Sequence, residues 1–198
     1  MTVMEAEQAT ISVPVIVPIP AETILDLLLG AGIAICTDKS LQVLNAIYLE
    51  VADGTLTATA TDRYRLITGS TAVDSIVNGN ALLPYESVVK VIAALKPLVK
   101  WLPGYPVNIE ISGTTISFRL PEVSFTFDTL DGMFPANYRK LLDIPTEPSE
   151  SMRFNATYLG DLAKIPTGSS KRDGKDGVVL TFHGDMKPVT FIVSHPAI

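Results

Sequence analysis

The chain has 198 residues, 47% of them apolar and 18% charged, a balance that suits a well-cored globular protein and excludes a disordered one. Fifteen basic against 21 acidic residues leave a net charge of −6, which excludes a protein that grips nucleic acid through its overall charge. The lone Cys36, two histidines (His183 and His195) and no carboxylate cluster at ligand spacing lead us to expect neither a metal nor any other cofactor.

The longest apolar stretch, Ile24–Cys36, is too short to span a bilayer and contains Asp26. The first ten residues, MTVMEAEQAT, lack the basic start of a secretory signal. Together with a single free cysteine, this predicts a cytoplasmic protein.

In chain order, residues 1–9 read as a flexible tail, and Ile11–Val17 as a strand with Pro14 and Pro18 confined to an edge. Ala21–Leu29 reads as a deeply packed helix that follows Pro20 and is stopped by Gly30 and Gly32. Leu41–Val73 then reads as an antiparallel meander. Its first two strands meet at Asp53-Gly54, a strong short-range hairpin signal, and Asp62 and Arg65 fall at a strand end. Asp62 is placed to pair with Arg65 or to cap a turn.

The same order recurs. Asn80–Pro84 is a strand, Tyr85–Val99 a helix that Pro97 should end or kink near Lys96, and Val107–Ile111, Thr115–Leu120 and Ser124–Thr129 are strands. After a linker over residues 144–151, a third and shorter copy starts with a strand at Met152–Phe154. Asn155 caps a helix reaching Lys164, a glycine- and charge-rich loop follows, and Val178–Phe182 and Val189–Val193 are strands. Three repeats of a strand–helix–strands unit give an α+β fold, with two repeats over residues 10–143 and one over 152–198.

Three runs resemble one family. Leu44-Asn45, the Asp53-Gly54 turn and Ala60-Thr61-Asp62-x-x-Arg65-Leu66 are similar to the L-N-G strand and A-T-D-G-H-R-L run of bacterial sliding clamps, the β subunit of DNA polymerase III. Arg63 and Tyr64 stand where that family has glycine and histidine. Asp131-Gly132-Met133-Phe134-Pro135 with Tyr138–Leu142 resembles its D-G-x-F-P-D-Y-R-x-x-L, with one extra residue. Phe154-Asn155-Ala156-Thr157-Tyr158-Leu159-x-Asp161 resembles its F-N-x-x-Y-L-x-D, and Lys187-Pro188 falls at a similar K-P.

The resemblance covers about residues 10–193 yet only half of a clamp, as though the middle domain were joined to the last half-domain. The clamp ending M-P-x-R-L is replaced by Ser194–Ile198, so the last strand is expected to be degenerate or absent.

The resemblance implies a clamp fold with antiparallel sheets outside and helices inside. It implies a processivity factor without catalysis, which encircles double-stranded DNA as a homo-oligomer, meets a clamp loader and binds peptides of the replicative polymerase and other clients. Because the chain is half-length, a closed ring needs more than two copies. Carried over, the peptide pocket consists of Leu44, Thr61, Tyr64, Arg65, Leu66, Pro135 and Leu141, with Val193 and His195 from the tail. Leucines would supply the apolar floor, and Arg65 a donor for a peptide carbonyl or carboxylate. Leu44 and Leu66 read equally as core residues of a half-buried strand.

DNA contact would fall to Lys90, Lys96 and Lys100 on the second helix, with Arg119, Lys171, Arg172 and Lys175 as weaker candidates. The first helix carries Glu22 and Asp26 and no basic residue, which a pore-lining helix should not favour. The alternative is a binding module with the same fold that does not encircle DNA, a decoy or adaptor for clamp-binding proteins. An enzyme is the third reading, but the phosphate-loop, nucleophile-elbow and zinc-helix motifs are missing from the sequence. Gly168-Ser169-Ser170-Lys171 reads as a solvated loop, and His183 and His195 as ordinary surface histidines.

Overall fold

The computed structural model describes residues 14–142, 154–167, 177–184 and 187–194. Its first strand, β1 (Val15–Pro20), alternates buried Val15, Val17 and Ile19 with exposed residues. It lies at the edge of a four-stranded sheet, paired on one side only with the strand Pro106–Ser112, where Pro18 removes no interior ladder bond.

Helix α1 (Ala21–Gly32) runs through Gly30 instead of stopping there. A Cβ on Gly30 would meet the Pro166 ring at 3.6 Å, an ordinary van der Waals distance, so the packing leaves room for a side chain there, and the helix ends at Gly32.

Strands β2 (Ala46–Ala52) and β3 (Thr55–Thr61) meet at Asp53-Gly54, with φ of 50° and 71°, the left-handed pair that a two-residue hairpin turn demands. Strand β4 (Leu66–Ala72) completes the meander. The first strand of the meander is shorter than expected. Leu41–Asn45 instead form turns, with the Leu44 amide donating to Leu41 and Asn45 to Gln42.

In the second repeat, β5 (Gly79–Pro84) leads into α2 (Tyr85–Trp101), and β6 (Pro106–Ser112), β7 (Thr115–Arg119) and β8 (Ser124–Asp128) follow. Helix α2 continues past Pro97, which neither ends nor breaks it. Both Pro97 and Ala93, whose carbonyl loses its partner, face solvent, and Leu102 still donates to Leu98.

Each repeat lends its first strand to the other. β1 pairs with β6, while β5 pairs with β2 in a second sheet ordered β4-β3-β2-β5. Helices α1 and α2 pack on each other and against this second sheet, and one continuous core joins both sheets and both helices.

A short 3-10 helix follows at Ala136–Leu141. Helix α3 (Ala156–Leu162) starts at Asn155, whose side chain accepts from the Thr157 amide at 3.0 Å, as its position before the helix predicts. Strands β9 (Gly177–Phe182) and β10 (Val189–Ser194) pair antiparallel. Phe154 is not in a strand; the rest of that expected strand, the linker at 144–151 and most of the glycine-rich loop lie outside the described residues. The whole is α+β, with antiparallel sheets and few helices.

Candidate functional site

The turn from β3 to β4 is built by local hydrogen bonds. Asp62 Oδ1 accepts from the amides of Tyr64 and Arg65, each at 3.0 Å, and Thr61 Oγ1 donates to the Arg65 carbonyl at 2.7 Å. Arg63 is held at φ 79°, a left-handed conformation better suited to glycine. So Asp62 both caps the turn and pairs with Arg65, whose Nε donates to Asp62 Oδ2 at 3.0 Å.

The Arg65 side chain then reaches across to α3. Its Nη1 donates to Asp161, and its guanidinium lies 4.8 Å above the Tyr158 ring. Asp161 also accepts from Lys164 Nζ at 2.5 Å. The Lys164 bond, followed by the one from Arg65, holds the Asp161 carboxyl below the usual carboxylate range. For Arg65, burial works against the charge, but the bond to Asp161 and the charge of Asp62 outweigh it and raise its pKa.

A second apolar cluster adjoins the turn. Phe134 and Tyr138 are buried with Ala46 and Leu82, and Leu66, Val43 and Tyr48 pack against them. Phe134 stacks on Tyr48 with ring centroids 5.1 Å apart. Glu50 accepts from Arg139 and, at 3.4 Å, from the Tyr138 hydroxyl, tying the 3-10 helix to β2. Burial and then the Glu50 charge push the Tyr48 hydroxyl up to about 12. Gly132 allows the approach: its φ is 135°, and a Cβ there would lie 2.9 Å from Val43.

Of the residues expected to form a pocket, Thr61, Arg65 and Leu66 share the strand end, and Leu66 is half-buried against the Phe134 cluster. Pro135 lies next to Phe134 and is exposed, and Tyr64 is 76% exposed. Leu44 is half-buried in the turn before β2, with its carbonyl bonded to the Cys36 amide, so it is not a core residue of the strand. Leu141 ends the 3-10 helix, though its side chain is outside the described residues, as is His195. Val193 is half-buried in β10 opposite Val178. Residue reasoning missed Phe134, Tyr138, Tyr158 and Asp161 as parts of this region, although all four stand inside the runs that carry the resemblance.

Lys90, Lys96 and Lys100 are all exposed on α2. They share that face with Glu86, Tyr85, Val89 and Trp101, the last 73% exposed with Lys100 Nζ 5.1 Å over its ring. Leu28, Ile33, Val88 and Ile92 line a groove of about 440 Å³ between α1 and α2, with Lys96 at its rim. Arg119 is paired with Glu110, while Lys171, Arg172 and Lys175 lie outside the described residues. His183 is not a surface residue: it is buried, with its Nε2 2.9 Å from Thr190 Oγ1. Among the described residues no group of three or more His, Cys, Asp or Glu is arranged to hold a metal, and no helix is long and apolar enough to cross a membrane.

The family model for the central domain of the DNA polymerase III beta subunit matches residues 18–136, well over half of the chain. The chain belongs to the DNA polymerase III beta subunit family. The fold agrees. The sliding clamp of Bacillus subtilis superposes with a TM-score of 0.58 at 17% identity, covering 98% of this chain and 51% of the clamp. The beta subunit of Pseudomonas aeruginosa gives 0.58 at 18% identity, covering 98% and 53%. That of Thermotoga maritima gives 0.60 at 16% identity, covering 96% and 54%. The chain therefore spans about half the length of the solved beta subunits it matches. No curated protein sequence matches it.

Within the beta-subunit fold, the interchange of β1 and β5 has a direct consequence. It closes residues 15–128 into two linked sheets over a single core, and the Thr61–Leu66 turn and the Phe134 segment then meet at one end of the β4-β3-β2-β5 sheet.

Proposed function

We propose that this member of the DNA polymerase III beta subunit family is a sliding-clamp-like processivity factor that receives client peptides beside Leu66. Residues 10–143 act as one complete clamp-like domain, and residues 152–198 as a partial one. The observation that carries this is the packing of Leu66 against the buried cluster that holds Phe134 and Tyr138 together with Ala46 and Leu82, which gathers two segments separated by some seventy residues of chain. An apolar floor beside an exposed proline and tyrosine suits a short peptide with aliphatic or aromatic anchors, since a few such anchors carry most of the energy in interfaces of this kind. Leu66 belongs to its floor and Thr61, Tyr64, Arg65 and Pro135 to its rim, with Leu44 and Leu141 alongside, and Val193 and His195 contribute from the tail. The protein works as a scaffold rather than as an enzyme.

The test is binding of a labelled peptide of the polymerase C-terminal type, with two hydrophobic anchors, followed by fluorescence anisotropy. Saturable binding that is lost in Leu66→Asp, with the fold retained by circular dichroism, supports the pocket. A folded wild-type protein that binds no such peptide at millimolar concentration removes it.

One observation favours a second reading, a clamp-fold adaptor that does not encircle DNA. The exposed face of α2 mixes its three lysines with Tyr85, Val89, Trp101 and Glu86, and α1 has no basic residue. Light scattering and retention on DNA separate the two. A closed homo-oligomer stays on a nicked circle and slides off linear DNA, whereas an adaptor remains small and is retained on neither.

A further inference from the structure

Arg65 is the only cation on the peptide-facing turn whose side chain is held in a fixed orientation, and all that fixes it is acidic or aromatic. Asp62 takes its Nε, Asp161 takes its Nη1, and the Tyr158 ring covers one face of the guanidinium. Asp161 is itself shared with Lys164. The four charged groups sum to zero: Arg65 and Lys164 against Asp62 and Asp161. A bound carboxylate would have to enter beside two carboxylates already in place, and its Coulomb gain from Arg65 would be offset by repulsion from both.

We infer that Asp161 is a specificity-determining residue of the proposed peptide site, because it occupies the Arg65 guanidinium and so withholds it from carboxylate groups of the client. The clients favoured by this chain are then chosen by apolar anchors, with a free C-terminal carboxylate or an acidic side chain near Arg65 giving no advantage. This inference rests on the peptide-site reading, but the state of Arg65 itself can be measured without any peptide.

Two geometric features argue for withholding rather than simple crosslinking. Asp161 is only 8% exposed, so its carboxylate is not free to swing into solvent when a ligand arrives. Asp62 has its other oxygen committed to the amides of Tyr64 and Arg65, so it cannot leave without opening the turn. Lys164, by contrast, is exposed and bonds the other oxygen of the Asp161 carboxylate, Oδ1, leaving Oδ2 to Arg65. Asp161→Asn keeps the size of the side chain, removes the charge, and leaves Arg65 with one carboxylate instead of two.

The experiment has two arms on the full chain, wild type and Asp161→Asn, with folding followed by circular dichroism. In the first arm, the rate of phenylglyoxal labelling at Arg65 is read by peptide mapping and mass spectrometry, with Arg119 as internal reference. Labelling of Arg65 is slower than that of Arg119 in the wild type and rises severalfold in Asp161→Asn. In the second arm, one hydrophobic peptide is compared as the C-terminal acid and the C-terminal amide. The wild type binds the two equally, whereas Asp161→Asn prefers the acid by roughly tenfold, the scale of one charge-assisted hydrogen bond.

An unchanged labelling rate in Asp161→Asn overturns the inference whatever the peptides do, and so does an acid preference already present in the wild type. If labelling rises but neither peptide binds either protein, the withholding of Arg65 stands and the peptide-site reading fails. Lys164→Gln covers the case in which Asp161→Asn does not fold. Freed from Lys164, Asp161 holds Arg65 at least as firmly, so labelling stays equal or slows, and faster labelling overturns the inference.

Discussion

Phe134 stacks face to face on Tyr48, with the two ring planes within 5° of each other. Tyr138 meets both rings edge-on, at 6.4 Å from Tyr48 and 5.5 Å from Phe134. This three-ring cluster, with the Glu50 bonds to Arg139 and Tyr138, fastens the segment after β8 to β2, and so brings Pro135 and Leu66 into one region. Phe134→Ala is expected to destabilise the protein by about 3 kcal/mol, through lost burial and the cavity left behind. Urea denaturation checks this, and peptide binding should fall in the same variant. Full stability in Phe134→Ala would show that the segment is held by something else.

Leu66→Asp places a charge against the Phe134 cluster and removes a floor residue. Peptide affinity should fall by at least about 2 kcal/mol, the scale of a hot-spot anchor. Because Leu66 is only half-buried, the fold should survive; isothermal titration calorimetry and circular dichroism on the same sample separate the two effects.

Exchanging Lys90, Lys96 and Lys100 together for glutamate tests the DNA-facing role of α2. All three side chains are exposed, so the melting temperature should hardly move. If they contact phosphates, the slope of log affinity against log salt for DNA retention should drop by roughly 2.7, about 0.9 for each lost contact. An unchanged slope assigns this face to some other partner.

Asp26 on α1 has its carboxyl pKa raised, first by burial and then by the Glu22 charge. A raised folded-state value means that protonation favours the folded state. That contribution is fully present below the ordinary carboxylate pKa and is lost as pH rises through the raised one. At pH 7 the ionised Asp26 therefore costs stability. Asp26→Asn is expected to melt at a higher temperature than wild type at pH 7, and the difference should shrink as pH falls toward 4. Equal gains at both pH values would mean that the charge plays no part.

Gly54 sits at φ 71° in the β2–β3 turn, where a side chain is strained. Gly54→Ala should cost about 1 kcal/mol by urea denaturation, with the amide of Val73, bonded to the Gly54 carbonyl at 2.8 Å, losing hydrogen-exchange protection.

Sequence alone set the element order, because alternation of apolar residues, helical spacing and the Asp53-Gly54 turn are local signals that each segment carries within itself. It also determined the family, through runs whose residues stand close together in the chain, and the capping of α3 by Asn155. What it could not carry was anything decided by pairing between distant segments. Two similar repeats are equally legible whether each keeps its first strand or lends it; only packing around a single core made β1 join β6 and β5 join β2. Gly30 reads as a helix stop, yet α1 runs through it to Gly32, and Pro97 reads as a break until its carbonyl partner proves to face solvent. The same holds at the candidate site. Thr61 to Leu66 announced a turn, but that Arg65 would spend its charge on Asp161, 96 residues away, depends on where α3 docks, and docking is fixed by tertiary contacts and not by any local pattern.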